Sequence, residues 1–193
     1  MKIGLFGGAF DPVHCGHLII AQFVKDELGL DRIIFVPAGN PPHKQLEASA
    51  LRRYEMLALA IAGTPYFEIS DFEVKSPSVS YTVDTVENFK SKLGLDREEL
   101  FLIIGSDNFV DLSMWKEPNR IMEQCQIVVF PRNGDDWTKA PEHFRKQAIY
   151  LRDAPLLQIS ATQIRLFVKQ NRAIRYLVPR AVEDFIASMK LYR

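Results

Sequence analysis

The chain is 193 residues long, 47% hydrophobic and 25% charged, an ordinary globular composition with enough length to bury a large core, which excludes disordered, collagen-like and coiled-coil classes. Lys and Arg number 24 against 24 Asp and Glu, so there is no global positive field to draw the chain onto nucleic acid, and any basic site is a local pocket. Cys15 and Cys125 lie far apart with no CxxC pair, and neither a signal peptide nor an apolar run of about 18 residues occurs, so a reduced, cytoplasmic setting away from membranes is expected. Association into a homo-oligomer is left open.

The elements follow in chain order. Lys2 to Gly8 reads as a buried strand. Leu18, Ile19, Phe23 and Leu28 give an amphipathic helix ending near Gly29. Arg32 to Pro37 is the second strand, followed by a Pro-containing loop over 38–48, a helix over 51–62 and a short strand over 66–70. Val83, Val86, Phe89 and Leu93 repeat at helical spacing behind Thr82, the expected N-cap. Strands follow at Leu100 to Gly105 and Gln126 to Pro131, then two helical patterns, Ile164 to Val168 and Val182 to Met189, the second entered through Pro179. Strands alternating with helices predict an α/β fold, a doubly wound Rossmann-like parallel sheet in one domain over 1–193, with 159–193 as a small C-terminal helical part. Ligands in such sheets bind at the carboxyl ends of the strands.

After the first strand the chain reads Gly7-Gly8-Ala9-Phe10-Asp11-Pro12-Val13-His14-Cys15-Gly16-His17. This is neither GxxxxGK[ST] nor GxGxxG, and the second strand ends without the acidic residue that would hold a ribose, so a P-loop NTPase and a nicotinamide dehydrogenase are disfavoured. His14 and His17 share one face of the first turn of the next helix. Gly7 and Gly8 let backbone approach a ligand, and a helix N-terminus adds free N–H groups and partial positive charge, which suits a phosphate. The blander alternative is a turn histidine and a cap histidine. A zinc site on His14, Cys15 and His17 fails because Cys15 would point roughly 100° away on the helix, so no protein metal ligands are expected.

GGAFDPVHCGHL and, later, Ile159-Ser160-Ala161-Thr162-Gln163-Ile164-Arg165 resemble the two signature elements of the nucleotidyltransferase superfamily. Pro41-Pro42-His43-Lys44, Ser80-Tyr81-Thr82-Val83-Asp84-Thr85, Gly105-Ser106-Asp107, Trp115 and Tyr176-Leu177-Val178-Pro179 narrow the resemblance to the bacterial nicotinate mononucleotide adenylyltransferases and extend it over nearly the whole chain. The resemblance implies transfer of an adenylyl group from ATP to nicotinate mononucleotide in NAD biosynthesis, by direct in-line attack without a covalent enzyme intermediate, with Mg²⁺ carried on the ATP phosphates. It implies catalytic roles for His14 and His17, and ATP contacts from Gly7, Gly8, Phe10, His14, His17, Asp107, Arg132, Ser160, Thr162 and Arg165. Asn40, Lys44, Tyr81, Thr82, Thr85 and Trp115 are the implied contacts to the mononucleotide. The chain departs from the family at Ala161, where a second serine is common, so phosphate contact there is by backbone alone.

Several of these residues also have a plain structural explanation. Ser160 and Gln163 fit a capping box. Lys44 fits a solvated loop charge, Asp107 a helix cap, and Trp115 a core residue. The alternatives to the leading reading are a sister adenylyltransferase acting on nicotinamide mononucleotide or phosphopantetheine, and a nucleotide-sensing module without turnover. Intact His14, His17 and Arg165 argue against the last.

Overall fold

The computed structural model of the chain describes residues 1–42, 45–132, 134 and 136–193. Strands β1 (Ile3–Gly8), β2 (Arg32–Pro37), β3 (Phe67–Ile69), β4 (Leu100–Gly105), β5 (Gln126–Phe130) and β6 (Ala148–Tyr150) form one sheet in the order β3-β2-β1-β4-β5-β6. Every neighbouring pair is parallel. The chain winds outward from β1 through β2 to β3, then returns beside β1 at β4 and winds the other way. The direction therefore reverses between β1 and β4, the point where such sheets open a crevice at their carboxyl ends.

Because side chains alternate across a strand, the apolar runs feed both faces of the sheet. Phe6, Ile33, Phe35, Ile103 and Val128 enter one core with α1 (Cys15–Leu28), α2 (Ala50–Ile61), α7 (Ala161–Lys169) and α8 (Arg180–Ser188). Ile3, Leu5, Ile34, Leu102 and Val129 enter the other, with α3 (Thr82–Leu93) and α5 (Pro118–Gln124). Each such side chain, fully buried, contributes about 1.5–3 kcal/mol. In the middle of β1 a Cβ at Gly4 would lie 2.9 Å from the Ile103 side chain and 3.0 Å from Leu30, so a larger residue there would make the ends of those side chains shift. The C-terminal helices belong to the first core through Ile164, Val182 and Ile186, and α8 packs on α2.

β2 and β4 occupy the expected ranges, and α1 ends where Gly29 takes a left-handed φ of 58°. One expected cap is corrected. Tyr81 holds the N-cap position of α3 and Thr82 is its first helical residue, with no side-chain cap bond. Elements that the sequence pattern did not reveal are short: α4 (Ser106–Val110), α6 (Glu142–Arg145), α5 and the edge strand β6. Among the described residues no helix is long and apolar enough to cross a membrane.

Candidate active site

His14 is the N-cap of α1, in extended conformation, and His17 is the third residue of its first turn. The His14 backbone N–H donates to His17 Nδ1 at 3.2 Å. That bond leaves the neutral His17 ring with its proton on Nε2. The two imidazoles stack with centroids 3.6 Å apart at 21°, and the Phe10 ring meets His17 edge-on at 4.9 Å. Phe10 has a φ of 49° and is 2% exposed. The Phe10 side chain is thus packed against His17, and its backbone is the part left to meet a nucleotide. A Cβ at Gly8 would come within 3.0 Å of that ring, whereas Gly7 faces open space. Cys15 N–H donates to the Leu177 carbonyl at 2.9 Å, tying the Tyr176–Pro179 segment to the start of α1.

Burial pushes His14 down to about 4, with the Arg132 charge adding to the effect. Burial, then the neighbouring His14 and Arg132, hold His17 well below the usual histidine range. Both rings are neutral at pH 7. An unfolded histidine titrates near 6.5, so as the pH falls below that value the unfolded chain binds protons that the folded one refuses, and stability drops. For His14 alone the loss accumulates between about 6.5 and 4 and reaches on the order of 3 kcal/mol. The melting temperature is accordingly expected to fall between pH 7 and pH 5, and the double variant His14→Ala, His17→Ala to lose most of that fall. A parent with equal melting temperatures at the two pH values contradicts the assignment.

The N-terminus of α7 lies beside that of α1. Ser160 caps it by accepting from Gln163 N–H at 3.2 Å, and Ile159 sits over Gly16, 3.7 Å from where a Cβ would be. Arg165 Nη1 donates to the Asp11 carbonyl at 2.7 Å, its Nε to Glu47 Oε1 at 2.9 Å, and Nη2 lies 3.5 Å from Thr162 Oγ1. Lys169, one turn further along α7, reaches the other Glu47 oxygen at 2.9 Å. At the ends of β4 and β5, Arg132 N–H donates to Ser106 Oγ at 2.9 Å, and its guanidinium is 3.5 Å from Asp107 Oδ2. Asp107 Oδ1 is buried with no partner among the described residues. A Cβ at Gly105 would collide with both the Asp107 carboxylate and the Arg132 stem. A cavity lined by His14, His17, Phe130, Arg132, Pro155 and Ile159 opens between these groups. The α1 N-terminus and Arg132 thus border one crevice, with the α7 N-terminus beside it and Arg165 held against the loop after β1, an arrangement that attracts a polyanion.

Loops on the other side of β1 form a second region. Exposed Asn40 pairs with Ser80 through N–H to Oγ at 3.3 Å and through Ser80 N–H to the Asn40 carbonyl at 3.1 Å. The Thr85 hydroxyl, in a residue 5% exposed, donates to Glu73 Oε1 at 2.7 Å. N–H groups of Asp84 and Thr85 turn back to the Tyr81 carbonyl, and those of Thr82 and Val83, at the open end of the first turn, have no backbone acceptor among the described residues. Lys116 pairs with Asp84 at 3.3 Å and lies 4.5 Å from the Tyr81 ring centre. That contact brings the neighbouring Trp115 to the start of α3, half-buried against the same core as Tyr81. Lys44 lies outside the described residues.

Sequence reasoning missed the groups that hold these loops together. The Asp11 carboxylate, in a residue 2% exposed, accepts from Glu47 N–H at 2.7 Å, Ala48 N–H at 3.2 Å and Tyr192 Oη at 2.6 Å. Arg53, 1% exposed, donates to the carbonyls of Ala9, Ala38, Gly39 and Ala48. The one available signal was Asp11 itself, a charged residue inside the glycine-rich turn.

A crevice at the sheet's switch point, walled by paired histidines and helix N-termini, is that of a nucleotidyltransferase. Residues 5–167 match the model of the cytidylyltransferase-like family. A protein from Thermus thermophilus is 44% identical over 193 residues, covering 100% of both chains, and one from Dictyoglomus thermophilum is 40% identical over 196 residues with the same coverage. Both carry the name "Probable nicotinate-nucleotide adenylyltransferase". The chain belongs to the cytidylyltransferase-like family and, within it, to the nicotinate-nucleotide adenylyltransferases. Its fold is that of the Plasmodium falciparum nicotinic acid mononucleotide adenylyltransferase complexed with NaAD, at 19% identity and a TM-score of 0.81, covering 99% of this chain and 97% of that one.

Proposed function

We propose that this site transfers the adenylyl group of ATP to nicotinate mononucleotide, releasing pyrophosphate and forming deamido-NAD, in the cytoplasm. The observation that carries the reading is the neutral, stacked His14–His17 pair at the α1 N-terminus, facing the α7 N-terminus across a crevice edged by Arg132. The acceptor phosphate has a second pKa near 6, so at neutral pH it is already a nucleophile and requires no general base. Its oxygen attacks the α-phosphorus, the bond to the bridging oxygen breaks, and pyrophosphate leaves in line. The work left to the protein is alignment and stabilisation of developing charge. His17 Nε2–H and His14 donate to the α-phosphate, while Gly7, Gly8 and the Phe10 backbone leave room for it.

The first turn of α7, from Ser160 and Thr162, together with Arg165, receives the β- and γ-phosphates. Glu47 now holds Arg165 and Lys169, so the triphosphate takes over the cations that this carboxylate neutralises. Asp107 and Arg132 sit where the ribose and phosphates of ATP would pass. Mg²⁺ neutralises phosphate charge when bound; it would be held by phosphate oxygens and water, with the buried Asp107 Oδ1 beside them. Tyr81 and Trp115 frame the pyridine ring, with Asn40 and Lys44 toward the sugar-phosphate.

Pyrophosphate release from ATP, measured with nicotinate mononucleotide, nicotinamide mononucleotide and phosphopantetheine in turn, tests the reading. Release with the first alone, or with the first in clear excess, supports it. Release with none would make the chain a sensing module.

The α7 cations give opposite expectations for two variants. Arg165→Lys keeps the charge but loses the fork, so the KM for ATP should rise about tenfold while that of the acceptor stays within about threefold. Glu47→Gln removes the competing carboxylate and should lower the KM for ATP. An equal loss for both substrates in Arg165→Lys would assign that residue to structure.

A further inference from the structure

Arg53 lies inside α2 and is 1% exposed. Its donors go to backbone carbonyls of three segments: Ala9 at 2.7 Å in the loop after β1, Ala38 at 2.5 Å and Gly39 at 3.3 Å after β2, and Ala48 at 3.2 Å before α2. The Asp11 and Glu73 carboxylates lie near enough to offset its charge. A buried cation is costly, and an aliphatic side chain would fill the same space without that cost. Its specific effect is on peptide orientation. In a trans peptide the carbonyl and the following N–H point in opposite directions. With the carbonyls of Ala38 and Gly39 drawn inward, the N–H groups of Gly39 and Asn40 are turned away from the guanidinium. Those N–H groups make long bonds, at 3.4 Å to Glu73 Oε2 and 3.3 Å to Ser80 Oγ, near the outer limit of hydrogen bonding and easily exchanged for a ligand.

We propose that Arg53 is a positioning residue for the acceptor nucleotide, holding the Ala38–Asn40 peptides so that the N–H groups of Gly39 and Asn40 meet the acceptor in fixed register with the loop that carries His14. The inference rests on the functional reading above, which turnover of the parent with nicotinate mononucleotide tests separately. Because both substrate loops hang on one guanidinium, its loss should disturb acceptor binding and the alignment for attack while leaving the α7 grip on ATP intact.

The test is steady-state kinetics of purified Arg53→Lys and Arg53→Met, run well below the melting temperature of each. In Arg53→Lys, which keeps the charge but reaches fewer carbonyls, the KM for nicotinate mononucleotide should rise about tenfold and kcat should fall, with the KM for ATP within about threefold. Arg53→Met should show the same split, larger. A purely structural role predicts lower kcat in proportion to the folded fraction with both KM values unchanged; that result, or an equal rise in both KM values, overturns the proposal. Amide hydrogen exchange of the parent decides independently of any variant. Nicotinate mononucleotide alone should slow exchange at Gly39 and Asn40, and no slowing overturns the proposal.

Discussion

Replacing His17 by alanine is expected to lower kcat by about 10²- to 10³-fold while changing the KM for ATP little, the range usual for loss of one preorganised donor to transition-state charge. The structural basis is that nothing about this ring is free to adjust. Its Nδ1 is committed to the His14 N–H, its faces are held by His14 and Phe10, and its remaining N–H has a single direction. Being neutral, it donates without the desolvation cost of a buried cation. On the proposed reading ground-state ATP has other holders in Arg165, Arg132 and the α7 terminus, so binding should survive. His17→Asn returns an N–H on a shorter arm and should recover part of the loss. Turnover of His17→Ala within a few-fold of the parent would remove His17 from the reacting centre.

Nicotinate mononucleotide should be preferred over its nicotinamide form by at least about tenfold in kcat/KM. Nicotinate carries a carboxylate where nicotinamide carries an amide, and the start of α3 offers the Thr82 and Val83 N–H groups at a positive dipole end, with the Lys116 ammonium close by. Opposite them, an amide NH₂ would leave buried donors unpaired at about 1–3 kcal/mol each, which for one or two groups is about 10- to 10⁴-fold. Asp84 in the same turn works against the anion, but Lys116 neutralises it, which places the expectation toward the lower end of that range. Stacking on Trp115 serves both rings alike, so Trp115→Ala should weaken both acceptors by similar factors. Equal use of the two acceptors would sink the assignment of this loop and leave adenylyl transfer standing.

What the sequence made legible was whatever is local. β2 and β4 are apolar runs closed by Pro37 and Gly105, buried on both faces, and a strand of that kind is written in consecutive residues. The histidine pair was legible for the same reason, since three-residue spacing at a helix start has one geometric outcome. β6 was not, because three half-buried residues at a sheet edge carry no period. Thr82 was misread through a real preference of threonine for N-caps. Tyr81 takes that position instead, its ring packed on the second core and under Lys116, which holds its backbone extended. The hub at Asp11 and Arg53 was beyond reach altogether. Its partners lie 36 to 181 residues away from Asp11 and 44 residues from Arg53 at Ala9, and an arginine beside Arg52 in a helix reads as surface.

The bond from Tyr192 to Asp11 joins positions 181 residues apart. Closing a loop of that span costs conformational entropy that packing of the elements between must offset, so the bond ties the loop after β1 to the folded C-terminal end of the chain. α8 carries Tyr192 into place, Asp11 gathers the amides before α2, and both fix the turn that presents His14. The geometry of the turn that presents His14 is therefore coupled to both ends of the chain.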